Sequence, residues 1–321
     1  MTDRADIAAI VIGRNEGARL IACLDSLAGA VARVIYVDSG STDGSRDGAR
    51  ARGAEVVELD MHQPFTAARA RNAGLAHLTG ADTPPTFVQF MDGDCSLQPG
   101  WLRTAQAFLE GNPTAAVACG RRRERYPEAS IYNRLIDAEW DTPVGRARAC
   151  GGDALMRVAA LQEVGGFDPD LIAGEEPELC VRLRAKGWEI WRLDAEMTLH
   201  DAAMTRFGQW WQRTRRGGYA FAEGAMLHGA APERHCVPNL VRLILWGMVL
   251  PLATILGAVI TPWALLLLLV WPAQVLRLRL RGMPWYWAVF LTLTKLPEAQ
   301  GALMYVRHRL SRTRARLIEY K

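Results

Sequence analysis

Apolar residues run in short unbroken blocks through the first two-fifths of the chain, and each block stops at a polar or glycine-rich turn. Ile7–Gly13 (IAAIVIG) is continuous and apolar, as expected for a strand buried on both faces. The segment RLIACLDSLAG that follows spaces Leu20, Cys23, Leu24 and Leu27 as one helical face and ends at Gly29. Val31–Asp38 reads as a second buried strand, STDGSRDGARARG as a helix closed by Gly53, and AEVVELD as a third strand. PFTAARARNAGLAHL is a helix with Pro64 placed near its first turn. TFVQFMD is a fourth strand, GWLRTAQAFLEG a helix and TAAVACG a fifth strand. Strands alternating with helices through short links predict an open, mostly parallel sheet with helices on both faces.

Beyond residue 120 the pattern loosens. Arg121 to Ala149 is charged and contains Trp140. It tightens again at a glycine pair, Gly151-Gly152, which leads into a short strand, a helix, a turn at Gly165-Gly166 and an acidic loop. A helix from about Pro177 to Lys186 and the strand WEIWRLD complete this part.

The last quarter follows another rule. Leu243 to Leu276 is 34 residues without one Asp, Glu, Lys or Arg. At about 1.5 Å per residue that exceeds the roughly 30 Å of a bilayer core. Pro251, Pro262 and Pro272 interrupt it, so it reads as a hairpin over 243–276 with a turn at Thr261-Pro262. Arg277–Arg281 (RLRLR) would return to the cytoplasmic side. Residues 284–306 read as an interfacial amphipathic helix, with a third crossing as the alternative. These features divide the chain into a catalytic domain over 1–237 and a membrane-associated tail over 238–321.

Charge follows the same division. From Pro238 on there are eleven Lys and Arg against two Asp and Glu, a net of +9, while the whole chain is +4, so residues 1–237 carry −5. A basic tail beside an acidic body suits an anionic membrane surface, and nothing in the chain suggests a nucleic-acid module. Half of the chain is hydrophobic. The six cysteines are scattered without a C-x-x-C pair and read as small buried hydrophobes in a reducing compartment. The polar start, MTDRAD, is followed by an apolar run too short for a signal sequence, which keeps the globular part in the cytoplasm.

Three strands end in polar turns at what an open sheet makes its ligand-binding edge: Asn15-Glu16-Gly17, Asp38 to Gly44, and Asp92-Gly93-Asp94. Two carboxylates separated by one glycine can be a turn, or can converge on a hard divalent cation while the glycine lets a diphosphate approach the backbone. Asp38 ends a buried strand where a carboxylate can accept hydrogen bonds from a base or ribose. Glu175 and Glu176 precede a helix, where acids favour the helix dipole or where one can serve as a general base. His200 follows the last strand, ahead of an Arg-rich stretch with Trp210 and Trp211.

The order of these motifs is more specific than any one of them. A strand ending in G-R-N-E, then V-D-S-G-S-T-D-G-S, A-R-N-A-G, D-G-D and an acidic pair with E-L-x-x-R-L resembles the family 2 glycosyltransferases of the GT-A fold over about residues 5–215. The resemblance implies an inverting, metal-dependent transfer from a nucleotide-diphosphate sugar, UDP- or GDP-linked, with Mn2+ or Mg2+. It implies donor contacts from Asp38, Arg71, Asp92, Arg14 and Glu16. The cation would be held by Asp92, Asp94 and His200, with Asp94 the direct ligand and Asp92 acting partly through water or sugar hydroxyls. The catalytic base would come from Glu176 or Glu175; the family usually carries E-D there, so Glu176 stands in the base position. Processive members carry Q-x-x-R-W. Here Gln212 to Arg216 keeps Q-x-x-R with Arg for Trp, which favours transfer of one sugar. The expected acceptor is a lipid-linked or cell-surface saccharide, met at the cytoplasmic face of a bacterial inner membrane. A sugar-phosphate nucleotidyltransferase and a non-catalytic membrane scaffold are the alternatives; GRNEGAR (residues 13–19) is a poor version of the triphosphate loop that the first would need.

Overall fold

The structure is a computed structural model that describes residues 6–311; the polar start over 1–5 and the basic residues of the tail from Arg312 on lie outside the described residues. The chain folds as two units, one ending at Ala203 and one beginning at Met204. The boundary expected at 237/238 therefore falls inside the second unit.

The first unit is built on one sheet of nine strands: β1 (Ile7–Gly13), β2 (Arg33–Asp38), β3 (Glu55–Glu58), β4 (Phe87–Asp92), β5 (Cys95–Leu97), β6 (Ala115–Glu124), β7 (Gly145–Arg146), β8 (Ala154–Arg157) and β9 (Glu189–His200). Their order is β3-β2-β1-β4-β8-β6-β9-β5, with β7 paired to β9. The β3-β2-β1-β4 half is parallel, as the alternation predicts. The other half is mixed. β8 runs antiparallel to both β4 and β6, β9 is parallel to β6, and β5 is antiparallel to β9. Alternation of elements does not encode direction, and the chain between β6 and β8 turns back after a helix instead of crossing over.

Among the described residues, seven α-helices belong to this unit: α1 (Ala18–Leu27), α2 (Ser45–Arg50), α3 (Ala67–Thr79), α4 (Trp101–Gly111), α5 (Ile131–Glu139), α6 (Val158–Glu163) and α7 (Glu175–Ala185). α1 buries the four residues that the spacing picks out. Pro64 lies ahead of α3 and not in its first turn. Thr66 starts that helix, its hydroxyl oxygen accepting the Arg69 N–H at 3.1 Å. β6 and β9 both run beyond the expected strands, to Glu124 and His200. Polar and apolar residues alternate over Asp194–His200, so the end of β9 carries no continuous apolar run.

In the second unit, α8 (Phe207–His228) and α13 (Lys295–Ser311) pack closely through glycines. A Cβ at Gly218 would overlap the backbone of Glu298, and one at Gly301 would overlap that of Arg215. Between them lie α9 (Val237–Ile244), α10 (Leu250–Ile260), α11 (Val270–Leu280) and α12 (Trp285–Leu293). α9 and α10 form one apolar helix, Val237–Ile260, through a π-turn at Leu245–Val249; Pro262–Leu280 is a second, which opens with 3-10 turns. Both are long and apolar enough to cross a membrane, and they meet at Thr261-Pro262 as expected. Ile260 and Leu280 are 86% and 78% exposed. The expected single helix over 284–306 is two helices, broken at Thr294. α13 buries Glu298, Ala299, Gly301, Ala302 and Tyr305.

Candidate active site

Sheet register brings the polar turns together. Gly13 pairs with Asp38 across the sheet, and Ile12 with Asp92, so β1, β2 and β4 end in one row. The turns are tied to one another. Asn15 Oδ1 accepts the Thr42 N–H at 2.7 Å, Ser41 Oγ accepts the Asn15 N–H at 2.9 Å, and the Gly93 N–H donates to Ile12 O at 2.8 Å. Asp38 is buried and already occupied. Its carboxylate accepts from Tyr36 Oη at 3.0 Å and from the N–H groups of Gly40 and Ser41 at 3.0 and 2.9 Å. It shapes the loop after β2 from beneath. Arg14 is exposed on the same edge, and Glu16 pairs with Arg19 at 2.7 Å.

Arg71 is the hub. The parallel half of the sheet seats α3, and its buried guanidinium reaches three carboxylates: Asp92 Oδ1 at 2.9 Å, Glu175 Oε1 at 2.8 Å and Glu176 Oε1 at 3.1 Å. Burial works against that charge, but the carboxylates around it hold its pKa above the ordinary arginine value. In this structure Arg71 therefore ties the D-G-D turn to the acidic pair, where a donor contact was expected. Glu175 and Glu176 form the first turn of α7 and are not in a loop ahead of it. Pro177 fits there because first-turn N–H groups have no intrahelical partner. Burial and the neighbouring Glu175 charge push the Glu176 carboxyl up to about 7, against the pull of Arg71.

Asp92 has further partners that the linear pattern does not mark. Both terminal nitrogens of Arg122 approach its Oδ2, at 3.3 and 3.4 Å. The Asp92 N–H donates to Asp153 Oδ1 at 3.1 Å. Fully buried Asp153 also accepts from Thr198 Oγ1 at 2.7 Å and pairs with Arg122 at 3.5 Å. The Arg122 guanidinium lies 4.4 Å from the centre of the Trp140 ring. Gly152 closes this side. A Cβ there would stand 2.9 Å from Arg71 Nη2, 3.0 Å from Asp92 Oδ2 and 3.1 Å from Glu176 Oε1, so a larger residue would press on the ion cluster. The glycine pair was the sole linear signal for it. Arg122 lay in a stretch read only as charged, and Asp153 at the start of a strand read only as short.

Asp94 faces elsewhere. It is buried, and its Oδ2 lies 3.3 Å from His200 Nε2. His200 Nδ1 lies 3.1 Å from Glu124 Oε2. Burial and the nearby Arg122 charge lower the His200 pKa, although Glu124 opposes them, so the ring is held toward its neutral form. A neutral imidazole nitrogen and a carboxylate oxygen that converge this closely are a donor set suited to Mn2+ or Mg2+. Asp94, Cys95 and His200 each offer an atom within 4.8 Å of the others. Burial raises the Cys95 thiol well above its usual range. The two acids of D-G-D thus have different neighbours: arginines for Asp92, a histidine for Asp94.

Comparison with known proteins points one way. The sequence pattern described as "Glycosyl transferase family 2" matches residues 8–164, and that described as "Glycosyl transferase family group 2" matches residues 87–296. The succinoglycan biosynthesis protein ExoA of Rhizobium meliloti is 26% identical over 78% of this chain and 80% of its own length. The pre-mycofactocin glycosyltransferase of Mycobacterium tuberculosis is 28% identical over 70% of this chain and 48% of its own. Among solved structures, a mannosyltransferase of Pyrobaculum calidifontis in complex with GDP-mannose and Mn2+ is 20% identical and covers 95% of this chain and 88% of that one, with a TM-score of 0.66. The glucosyl-3-phosphoglycerate synthase of M. tuberculosis with Mn2+, UDP-glucose and phosphoglyceric acid is also 20% identical, covers 71% of this chain and 81% of that one, and gives 0.53. At these identities the likeness to solved structures is one of fold.

Proposed function

We propose a single-sugar transfer for this chain, which belongs to the family 2 glycosyltransferases. The donor is a UDP- or GDP-linked sugar, the acceptor a hydroxyl on a lipid-linked or other saccharide, and the anomeric centre inverts. One observation carries the reading. Arg71 joins Asp92, at the end of β4, to Glu175 and Glu176, at the start of α7, so a diphosphate-binding turn and a candidate base share one buried cation.

The roles divide by environment. Glu175 is the more buried acid and sits closest to Arg71, which suits a positioning carboxylate. Glu176 is more accessible and has the raised pKa, which suits a base that takes the acceptor proton near neutral pH. Asp94 and His200 would hold the divalent cation, with Asp92 set beside them by Arg71 and Arg122. When bound, such a cation supplies positive charge against the diphosphate that leaves. Asp38 holds the loop after β2 in shape for the nucleotide, and Arg14 and Glu16 border it. Deprotonated by Glu176, the acceptor oxygen attacks the anomeric carbon from the face opposite the diphosphate. One displacement of that kind inverts the centre. The anomeric coupling constant of the product, followed by proton NMR from the first turnover, tests this: inversion of the donor configuration is expected, and retention contradicts the mechanism.

The tail supports a membrane-anchored enzyme. Two apolar helices with exposed surfaces need lipid around them, and a basic tail suits the cytoplasmic face. That setting suits a lipid-linked acceptor, and the likeness to a succinoglycan biosynthesis protein is in keeping with a saccharide one. The nucleotidyltransferase alternative has no support from the family match.

A further inference from the structure

We propose that Glu124 is the positioning residue that sets His200 as a nitrogen ligand for the divalent cation. The inference rests on the metal reading given above. It starts from sheet register. β9 lies between β6 and β5, and His200 pairs with Glu124 on one side and with Cys95, next to Asp94, on the other. The order Glu124–His200–Asp94 is thus written across three strands.

The hydrogen bonds fix which ring nitrogen carries the proton. Glu124 is buried and accepts from three other groups: the Ala202 N–H at 3.1 Å, the Tyr126 N–H at 3.2 Å and Asn133 Nδ2 at 3.3 Å. All three are donors only, so the Glu124 oxygens act as acceptors. His200 Nδ1, 3.1 Å from Glu124 Oε2, therefore carries the hydrogen of that contact. Nε2 is left with its lone pair toward Asp94 Oδ2, 3.3 Å away. Two acceptors facing each other leave a place for a cation. A carboxylate on the far nitrogen fixes tautomer and ring orientation and raises ligand basicity. The backbone clamps the ring on both sides as well: the Arg125 N–H donates to His200 O at 2.7 Å, and the Asp201 N–H to Asp94 O at 3.0 Å.

The linear sequence hides this pairing because Glu124 and His200 are 76 residues apart. Glu124 is buried and reaches the Nδ1 side of the His200 ring, so it acts through His200.

The test is Mn2+ affinity, read from the EPR signal of free Mn2+ over the full chain in detergent, alone and with UDP or GDP present. The variants are Glu124→Gln, His200→Ala and the double variant; Glu124→Gln is close in shape and keeps an oxygen for the neighbouring N–H groups. Affinity is expected to fall about 10- to 100-fold in Glu124→Gln. In the His200→Ala background the same change should alter affinity by less than about twofold, because its route to the metal is gone. Equal affinity in the wild-type chain and Glu124→Gln overturns the inference, and so does a full-sized further loss on top of His200→Ala. Absence of Mn2+ binding by the wild-type chain is a separate result, and it removes the metal reading itself.

Discussion

Asp92 and Asp94 sit one residue apart and belong to different circuits. Asp92 is neutralised by Arg71 and Arg122, and Asp94 faces His200. The sequence shows the two acids and the glycine between them but not this division, because the partners come from α3, β6 and β9. The proposed choice of base draws on three dimensions as well. The linear sequence puts Glu176 in the base position by resemblance alone, and burial beside Glu175 lifts Glu176 to about 7. A base works unprotonated. Transfer should therefore be slow below pH 7, climb as pH rises through 7 and level off above it. Glu176→Gln should lower kcat by about 10²- to 10⁴-fold, leave the donor KM near its wild-type value and erase that ascending limb. A pH–rate profile with the same limb in the variant would assign the base to another group.

Elements matter here mainly through where they end. β1, β2 and β4 were legible as apolar runs, and so was the polar edge they share, because strand ends in a parallel sheet fall in register. β6 and β9 were less so. Their last residues are charged in β6 and alternate polar with apolar in β9, and they include Glu124 and His200. α7 begins two residues earlier than its Pro177 suggests, which turns an acidic loop into a helix start. Arg71 joins α3, the end of β4 and α7 across these elements. Arg71→Met strands three carboxylates around an apolar chain. That should cost about 3–5 kcal/mol, seen as a clear fall in Tm. Arg71→Lys should recover only part of it, since an ammonium lacks the guanidinium fork. A Tm unchanged in Arg71→Met would mean that these elements are not held together by this ion cluster.

At the scale of the whole molecule, two kinds of chain are joined: an acidic, sheet-based unit with the proposed catalytic groups, and a basic, helical unit with two helices apolar enough to cross a membrane. The composition shift announced the second unit. It did not announce where it starts, because α8 is amphipathic and its partner α13 lies some eighty residues later in the chain. Membrane anchoring by apolar helices should survive an alkaline wash of isolated membranes, where a purely electrostatic attachment would be released. Recovery of the full chain in the supernatant would contradict anchoring. The central claim is metal-dependent turnover at Asp94 and Glu176, and donor consumption by the purified full chain tests it most directly. UDP- and GDP-linked sugars are screened with Mn2+, with a chelator and with Asp94→Ala. The account predicts that at least one donor is consumed, and that the chelator and Asp94→Ala each lower its rate by at least about 100-fold. Equal consumption in the chelator, or full activity in Asp94→Ala, would contradict it.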